Sequence, residues 1–382
     1  MTTATGRLAL EVVERPFASD AFLRLPWAIY RDDPAWIPPL LLERREHLDP
    51  RKNPFFENAE ARFWLARRDG RPVGRISAQV NRAYLARYDD ATGHFGMLEA
   101  EDDPEAFEAL MTTAEDWLRE QGMQRVAGPF NLSINEDCGL LVEGFEHPPS
   151  MLMGHARPYY GRHVEAHGYR KVKDLICYHY EADRPPAALP RLLRKAETTP
   201  DLVIRSLDLR RYEADLAAIM DIFNDAWSDN WGFVPMSQAE LRHMAKALKP
   251  IVRPQTVAIA ELAGRAVAMS VGLPNVNEAI ADLDGRLLPF GWAKLLWRLK
   301  VRTPKSSRVP LMGVRREFHG TILGAALAVG VNDRMRQGQR ALGVETSELS
   351  WILEDNVAMR RMIADFGGVA YKTFRIYDKA LG

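Results

Sequence analysis

Residues 309–338 constrain the chain more tightly than any other stretch. Val309, Pro310, Leu311, Met312, Gly313 and Val314 form a short apolar run that reads as a strand. A polar turn follows over residues 315–320. A helical pattern then starts at once, with Leu323, Leu327, Val331 and Met335 recurring on one face. The first helical turn carries no acidic residue, and Gly320, Thr321 and Gly324 have small or absent side chains. Backbone N–H groups bared at a helix N-terminus, with the helix dipole behind them, suit a phosphate anion. Arg315 and Arg316 add positive charge and His319 a ring donor. Val314, Arg315, His319, Gly320, Thr321, Gly324 and Ala325 are therefore expected to hold a phosphate-bearing cofactor.

The rest of the chain reads as two related halves. A length of 382 residues accommodates two domains. Residues 1–183 and 201–382 are expected as domains. Residues 184–200, with Pro185, Pro186, Pro190 and Pro200, are expected as the linker. Strand patterns around Asp69-Gly70 and around Ala263-Gly264 predict one hairpin in each half. Each half also closes on a helix ended by glycine and followed by a strand, at Gly168 and at Gly367. These repeats predict an α/β (α+β) fold of two tandem domains, each a mixed, mainly antiparallel sheet flanked by helices. Ser237 and Glu240 form a capping box for a helix over residues 237–248. A strand is expected over residues 342–352. Where the second half has its basic turn, the first half has the acidic run 99–103, which would repel a phosphate, so the cofactor is assigned to the second half.

Zero net charge argues against nucleic acid as a partner. Cys138 and Cys177 form neither a metal-ligand spacing nor a disulfide framework, and the nine histidines do not cluster, so no metal is expected. The N-terminus lacks the layout of a signal peptide, and no uncharged apolar run of about 18 residues is present. A cytoplasmic location follows as the expectation. Residues 285–316 contain no acidic residue. Within them Leu288, Trp292, Leu295, Leu296 and Leu299 fall on one helical face, with Lys294 and Arg298 opposite. That pattern predicts an interfacial helix over residues 287–302 that meets an anionic, inner-membrane surface peripherally.

The turn at 319–324 resembles the pyrophosphate-binding segment of the GNAT acyltransferases, of the type Q/R-x-x-G-x-G/A before a helix. His319 stands at the first position, Ile322 replaces the middle glycine and Gly324 fills the last. Downstream, the helix led by Asn356 and ended at Gly367 resembles the closing helix of that family. Residues 229–235, 348–356 and 371–377 are similar to a family of bacterial double-GNAT proteins that includes the bacterial ceramide synthases. So are residues 128–145 and 158–160 of the first half. The resemblance spans nearly the whole chain. It implies acyl-CoA as co-substrate, with Asn356 near it, and a long-chain amine, 3-oxosphinganine or sphinganine, as acceptor. An acyltransferase for a small amine or peptide, or a non-catalytic acyl-CoA-binding protein, are the alternatives.

Amide formation from a thioester needs a base for the ammonium, donors for the carbonyl oxyanion and a proton for the thiolate. Backbone N–H groups near Gly313 and Val314 are expected to face the oxyanion. Glu348, on the strand before the closing helix, is the first choice for the base, and Glu136, in the irregular loop of the first half, the second. Asn230, Trp231 and Tyr160 are expected to touch the acceptor. GNAT enzymes often place a tyrosine on the closing helix to protonate the thiolate. Here that position is Ile363, which leaves the acid unassigned.

Overall fold

The computed structural model describes residues 6–183 and 189–382. Pro185 and Pro186 of the expected linker lie outside the described residues. The chain divides into two compact units. The first runs up to Leu175 and adds Ile280–Gly291 and Lys372–Gly382; the second comprises Ile176–Ala279 and Trp292–Tyr371.

The first unit carries β1 (Leu8–Val12), β2 (Ala59–Arg68), β3 (Arg71–Asn81), β4 (Thr92–Ala100), β5 (Arg125–Gly128), β6 (Leu140–Glu143) and the start of β7 (Arg170–Glu181). Its helices are α1 (Asp20–Ile29), α2 (Leu41–His47), α3 (Arg82–Tyr88), α4 (Pro104–Glu120) and α5 (Tyr160–Ala166). The β2/β3 turn has Asp69 and Gly70 both at positive φ, 49° and 81°, as a type I′ hairpin requires. The sheet is antiparallel except where β4 and β5 pair in parallel through α4. Phe22, Leu23, Tyr30, Leu65 and Leu132 form the core against α1.

The second unit repeats this plan. It holds α6 (Leu189–Glu197), β8 (Leu202–Ser206), α7 (Tyr212–Trp227), α8 (Gln238–Leu248), β9 (Val257–Leu262), β10 (Arg265–Pro274) and α9 (Val276–Ile280). Then come α10 (Gly291–Trp297), β11 (Ser306–Val314), α11 (Ile322–Ala341), β12 (Thr346–Leu353), α12 (Val357–Asp365) and the start of β13 (Val369–Ala380). The strand order is β12-β11-β10-β9-β8, with β7 beside β12. The pairings of β8 with β9, β9 with β10 and β10 with β11 are antiparallel, whereas β11 and β12, joined by α11, pair in parallel. A parallel pair needs such a crossover.

The described part of the expected linker is not extended: α6 packs on α11, with Ala196 near Gly330. The capping box of Ser237 and Glu240 is present. The strand expected from residue 342 begins at Thr346 instead, because α11 continues to Ala341. Leu327, Val331 and Met335 of α11 are buried against Ala258, Ala260, Val267 and Ala268. Each such apolar side chain contributes roughly 1.5–3 kcal/mol. This packing fixes α11 on one face of the sheet, and therefore fixes where its N-terminus opens.

Candidate active site

The parallel pair β11/β12 is stapled at one end and open at the other. Their register runs from Ser306 opposite Thr346 to Val309 opposite Leu349. Beneath it the buried Ser307 and Ser347 hydroxyls lie 2.8 Å apart, and Gln339 of α11 donates to Ser307 at 2.9 Å and accepts from Ser347 at 3.2 Å. Next in β11 comes Pro310, which has no N–H to give a ladder. The β10/β11 register also shifts between Val271 and Leu273, a bulge on the β11 side. Past this point β11 continues to Val314 and β12 to Leu353 with no pairing between them among the described residues.

The bulge also decides which way the backbone groups point. The Arg315 amide donates to the Val267 carbonyl at 2.9 Å, so by strand alternation the amides of Met312 and Val314 face the gap left by β12. Their carbonyls are held in place: Trp227 Nε1 donates to that of Met312 at 3.1 Å, and His319 Nε2 bonds that of Val314 at 2.7 Å. Gly313 lets α7 approach, with Ile222 and Ala226 against it. The rings of Trp227 and Trp351, 6.1 Å apart, stand at the opening.

The turn into α11 ends at Gly320, with φ +73°. Thr321 caps the helix, its hydroxyl accepting from the Gly324 amide at 2.9 Å. Gly324 is required by proximity, since a Cβ there would lie 2.0 Å from the Phe318 carbonyl oxygen. The Ala325 amide bonds the Thr321 carbonyl. The amides of Gly320, Ile322 and Leu323 have no acceptor among the described residues. Unpaired amides at a helix N-terminus can accept an anion.

The basic side chains have partners of their own. Arg315 bonds Asp221 and the Ala266 carbonyl. The Arg316 amide donates to Asp225 at 2.8 Å and its guanidinium to Asp229 at 3.0 Å. These pairs, with His319 on Val314, anchor the turn to α7. Arg315 and His319, expected to meet the phosphate directly, also brace the turn through these bonds. The loop that carries Asp229 also carries Asn230 and Trp231, both half-buried. Asn356 caps α12, its side-chain oxygen accepting from the Met359 amide at 3.1 Å, which leaves its amide nitrogen for a ligand.

Glu348 sits on β12 opposite Arg308 and is 4% exposed. Ser350 donates to one of its oxygens at 2.6 Å and the Tyr371 hydroxyl to the other. Arg308 Nε donates to the Ser350 hydroxyl at 2.9 Å. Val309 and Leu349 pack towards α11, so Arg308, Glu348 and Ser350 lie on the opposite face, at the foot of the gap. Ile363, at the position where relatives by resemblance carry an acid, is buried in α12 packing. Tyr371, Arg308, Ser350, Trp227 and Trp351 were not singled out from sequence. Their roles depend on pairings across distant segments.

In the first unit, Tyr160 is buried and its hydroxyl donates to Glu99 at 2.7 Å, while the Ala100 amide donates to it. Tyr30 donates to the same Glu99 oxygen at 2.6 Å. Burial pushes the Glu99 carboxyl up and lifts both tyrosines well above their usual range. Tyr160 is thus a core residue and not a surface for an acceptor. Glu136 lies 3.1 Å from His47 Nε2 in a loop of the same unit. The acidic run is built into the unit: Glu101 and Asp102 line a cavity of about 620 Å³ with Arg157 and Arg162, and Asp103 caps α4. Among the described residues no group of acids, histidines or cysteines has metal-binding geometry.

Solved structures share this architecture. A tandem GNAT protein from the clavulanic acid biosynthesis pathway superposes with a TM-score of 0.59, covering 98% of this chain and 99% of its own at 13% identity. A GCN5-related N-acetyltransferase from Sphaerobacter thermophilus gives 0.52, covering 100% and 97% at 17% identity. The protein has a tandem-GNAT fold, with mixed β-structure flanked by helices in each unit and a strand splay in the second. No protein-family model matches the chain. It is 47% identical over 377 residues to a bacterial ceramide synthase of Caulobacter vibrioides, covering 98% of each chain. It is 42% identical over 363 residues to protein YghO of Escherichia coli, covering 94% of this chain and 92% of that one. The chain belongs to the bacterial ceramide synthase family, and is an acyl-CoA-dependent N-acyltransferase.

Proposed function

We propose that the acceptor is the amine of a sphingoid long-chain base, 3-oxosphinganine or sphinganine, and that the product is a ceramide or its oxidised form. The name carried by the Caulobacter relative supports this choice. In this reading the acyl-CoA pyrophosphate rests on the amides of Gly320, Ile322 and Leu323, and the thioester carbonyl faces those of Met312 and Val314. Those amides stabilise the oxyanion as the amine adds. Glu348 is the base that takes up the proton leaving the amine as the amide forms. Asn230 and Trp231 border the acceptor's entry, and Asn356 contributes its amide nitrogen to the cofactor.

The observation that carries a lipid acceptor is the exposed apolar surface along residues 292–301 of the second unit. Trp292 is 54% exposed, and Leu296, Trp297 and Val301 are likewise open to solvent. Lys294, Lys300 and Arg302 are exposed among them, and no acid is present. Apolar and basic groups together suit an anionic bilayer. The helix is shorter than sequence suggests: α10 ends at Trp297, and a wider helical turn, Arg298–Arg302, completes it. No helix among the described residues is long and apolar enough to cross a membrane. In this reading the approach is peripheral, at the cytoplasmic face of the inner membrane. Flotation with phosphatidylglycerol vesicles tests this: binding that weakens with salt supports it, and no binding at low salt overturns it.

A further inference from the structure

We propose that Tyr371 is the catalytic residue that carries protons between the reacting atoms and Glu348, supplying the acid that the closing helix lacks. This rests on the acyltransferase reading above. Three observations lead to it. Glu348 is almost wholly buried, and hydroxyls occupy both of its oxygens. On one side stands Ser350, itself bonded by the buried Arg308. On the other stands Tyr371, which is half-buried and so links the enclosed carboxylate to the solvent-facing side of the site. A carboxylate so placed meets an amine through the tyrosine and not directly. Meanwhile Ile363 is apolar and packed.

The proton balance closes without an outside donor. The acceptor's ammonium loses one proton to water. Its nitrogen attacks the thioester carbonyl, the C–N bond forms, and the oxyanion faces the Met312 and Val314 amides. The second proton leaves nitrogen for the Tyr371 oxygen as Tyr371 passes its own to Glu348. The C–S bond breaks, Tyr371 gives a proton to the thiolate, and Glu348 returns one to Tyr371. Both side chains end as they began. Among the described residues, the charged and titratable groups around Tyr371 on the packed strands include Glu348 on β12, Arg308 behind Ser350 on β11, and His179 on β7, whose ring lies 5.8 Å from that of Tyr371.

The test compares the parent, Tyr371→Phe, Glu348→Gln and the double variant. Thiol release from palmitoyl-CoA with sphinganine gives turnover, and calorimetry gives palmitoyl-CoA affinity. The relay predicts a loss in kcat of about 10²–10³-fold for Tyr371→Phe with affinity unchanged. The double variant should be no slower than the worse single one, because members of one unit are non-additive. Replacing Tyr371 with 3-fluorotyrosine, a more acidic phenol, should move the alkaline limb of the kcat profile to lower pH. A purely structural tyrosine would leave that limb in place. Tyr371→Phe within threefold of parental kcat, losses that multiply in the double variant, or an unmoved limb each overturns the relay while leaving the acyltransferase reading intact. A parent that binds palmitoyl-CoA yet releases no thiol with any amine overturns both.

Discussion

Replacing Gly324 with alanine places a Cβ 2.0 Å from the Phe318 carbonyl oxygen and 2.9 Å from its carbon. Both are backbone atoms, so no side chain can swing aside. Either the turn moves off the helix or the first turn of α11 moves off the turn. Overpacking of this kind costs about 1–3 kcal/mol. If the turn moves, Gly320, Ile322 and Leu323 lose their common aim and the cost falls on binding. At a factor of ten per 1.4 kcal/mol, acyl-CoA affinity then drops roughly 5- to 140-fold. If the helix end yields instead, the cost falls on folding, and the unfolding midpoint drops by about 2–4 °C per kcal/mol. Calorimetric titration with acyl-CoA and a thermal melt, on the same preparation, separate the two. Gly320→Asp is the companion variant, read against Gly320→Asn, which carries the same backbone strain at φ +73° without the charge; open space surrounds Gly320, and a carboxylate there meets the anion by charge. Parental affinity in both variants would refute the amide cradle. An unchanged melt and unchanged affinity for Gly324→Ala would refute the close approach itself.

Other consequences are equally direct. Glu348→Gln should lower turnover about 10²–10⁴-fold with acyl-CoA affinity nearly unchanged, read by thiol release, and retained turnover would move attention to Glu136. Trp292→Glu with Leu296→Glu should abolish vesicle flotation and depress activity on bilayer-held acceptor while sparing a short, dissolved amine; equal loss on both would make the helix part of the core. His94 is buried between Tyr84 and Phe130, and burial holds its imidazole down at about 4. The unfolded chain takes up that proton near pH 6.5 and the folded chain only near 4, so stability present above pH 6.5 is lost as pH falls towards 4, by about 3 kcal/mol. Melts across that window should slope less steeply for His94→Gln.

The elements legible in the sequence were those with local causes. Asp69-Gly70 and Ala263-Gly264 announce their hairpins because only some residues adopt positive φ at both turn positions. The strand, turn and helix around Gly320 were visible from glycine placement and the period of Leu327, Val331 and Met335. What stayed hidden depends on distant partners. Nothing near Arg315 and Arg316 in sequence shows that Asp221, Asp225 and Asp229 of α7 and its following loop engage them. Tyr160 reads like a ligand-facing aromatic until Glu99 and Tyr30 appear beside it. Glu348 is singled out from its strand position alone, whereas its bonds to Tyr371 and Ser350, and that of Arg308 to Ser350, are not legible there. Pro310 is the one local trace of the splay, and its meaning emerges only with the β10 register.

The central claim is that this chain joins a fatty acyl group to a long-chain amine through an amide bond. Purified protein incubated with palmitoyl-CoA and a panel of amines, analysed by mass spectrometry, tests it most directly. The panel should include sphinganine, 3-oxosphinganine, a short alkylamine and a peptide. The account predicts an N-acyl product from the sphingoid bases, formed with equimolar free CoA and far in excess of that from the short amine or peptide. Efficient acylation of the short amine or peptide with none of the sphingoid bases, or hydrolysis without any amide, would contradict it.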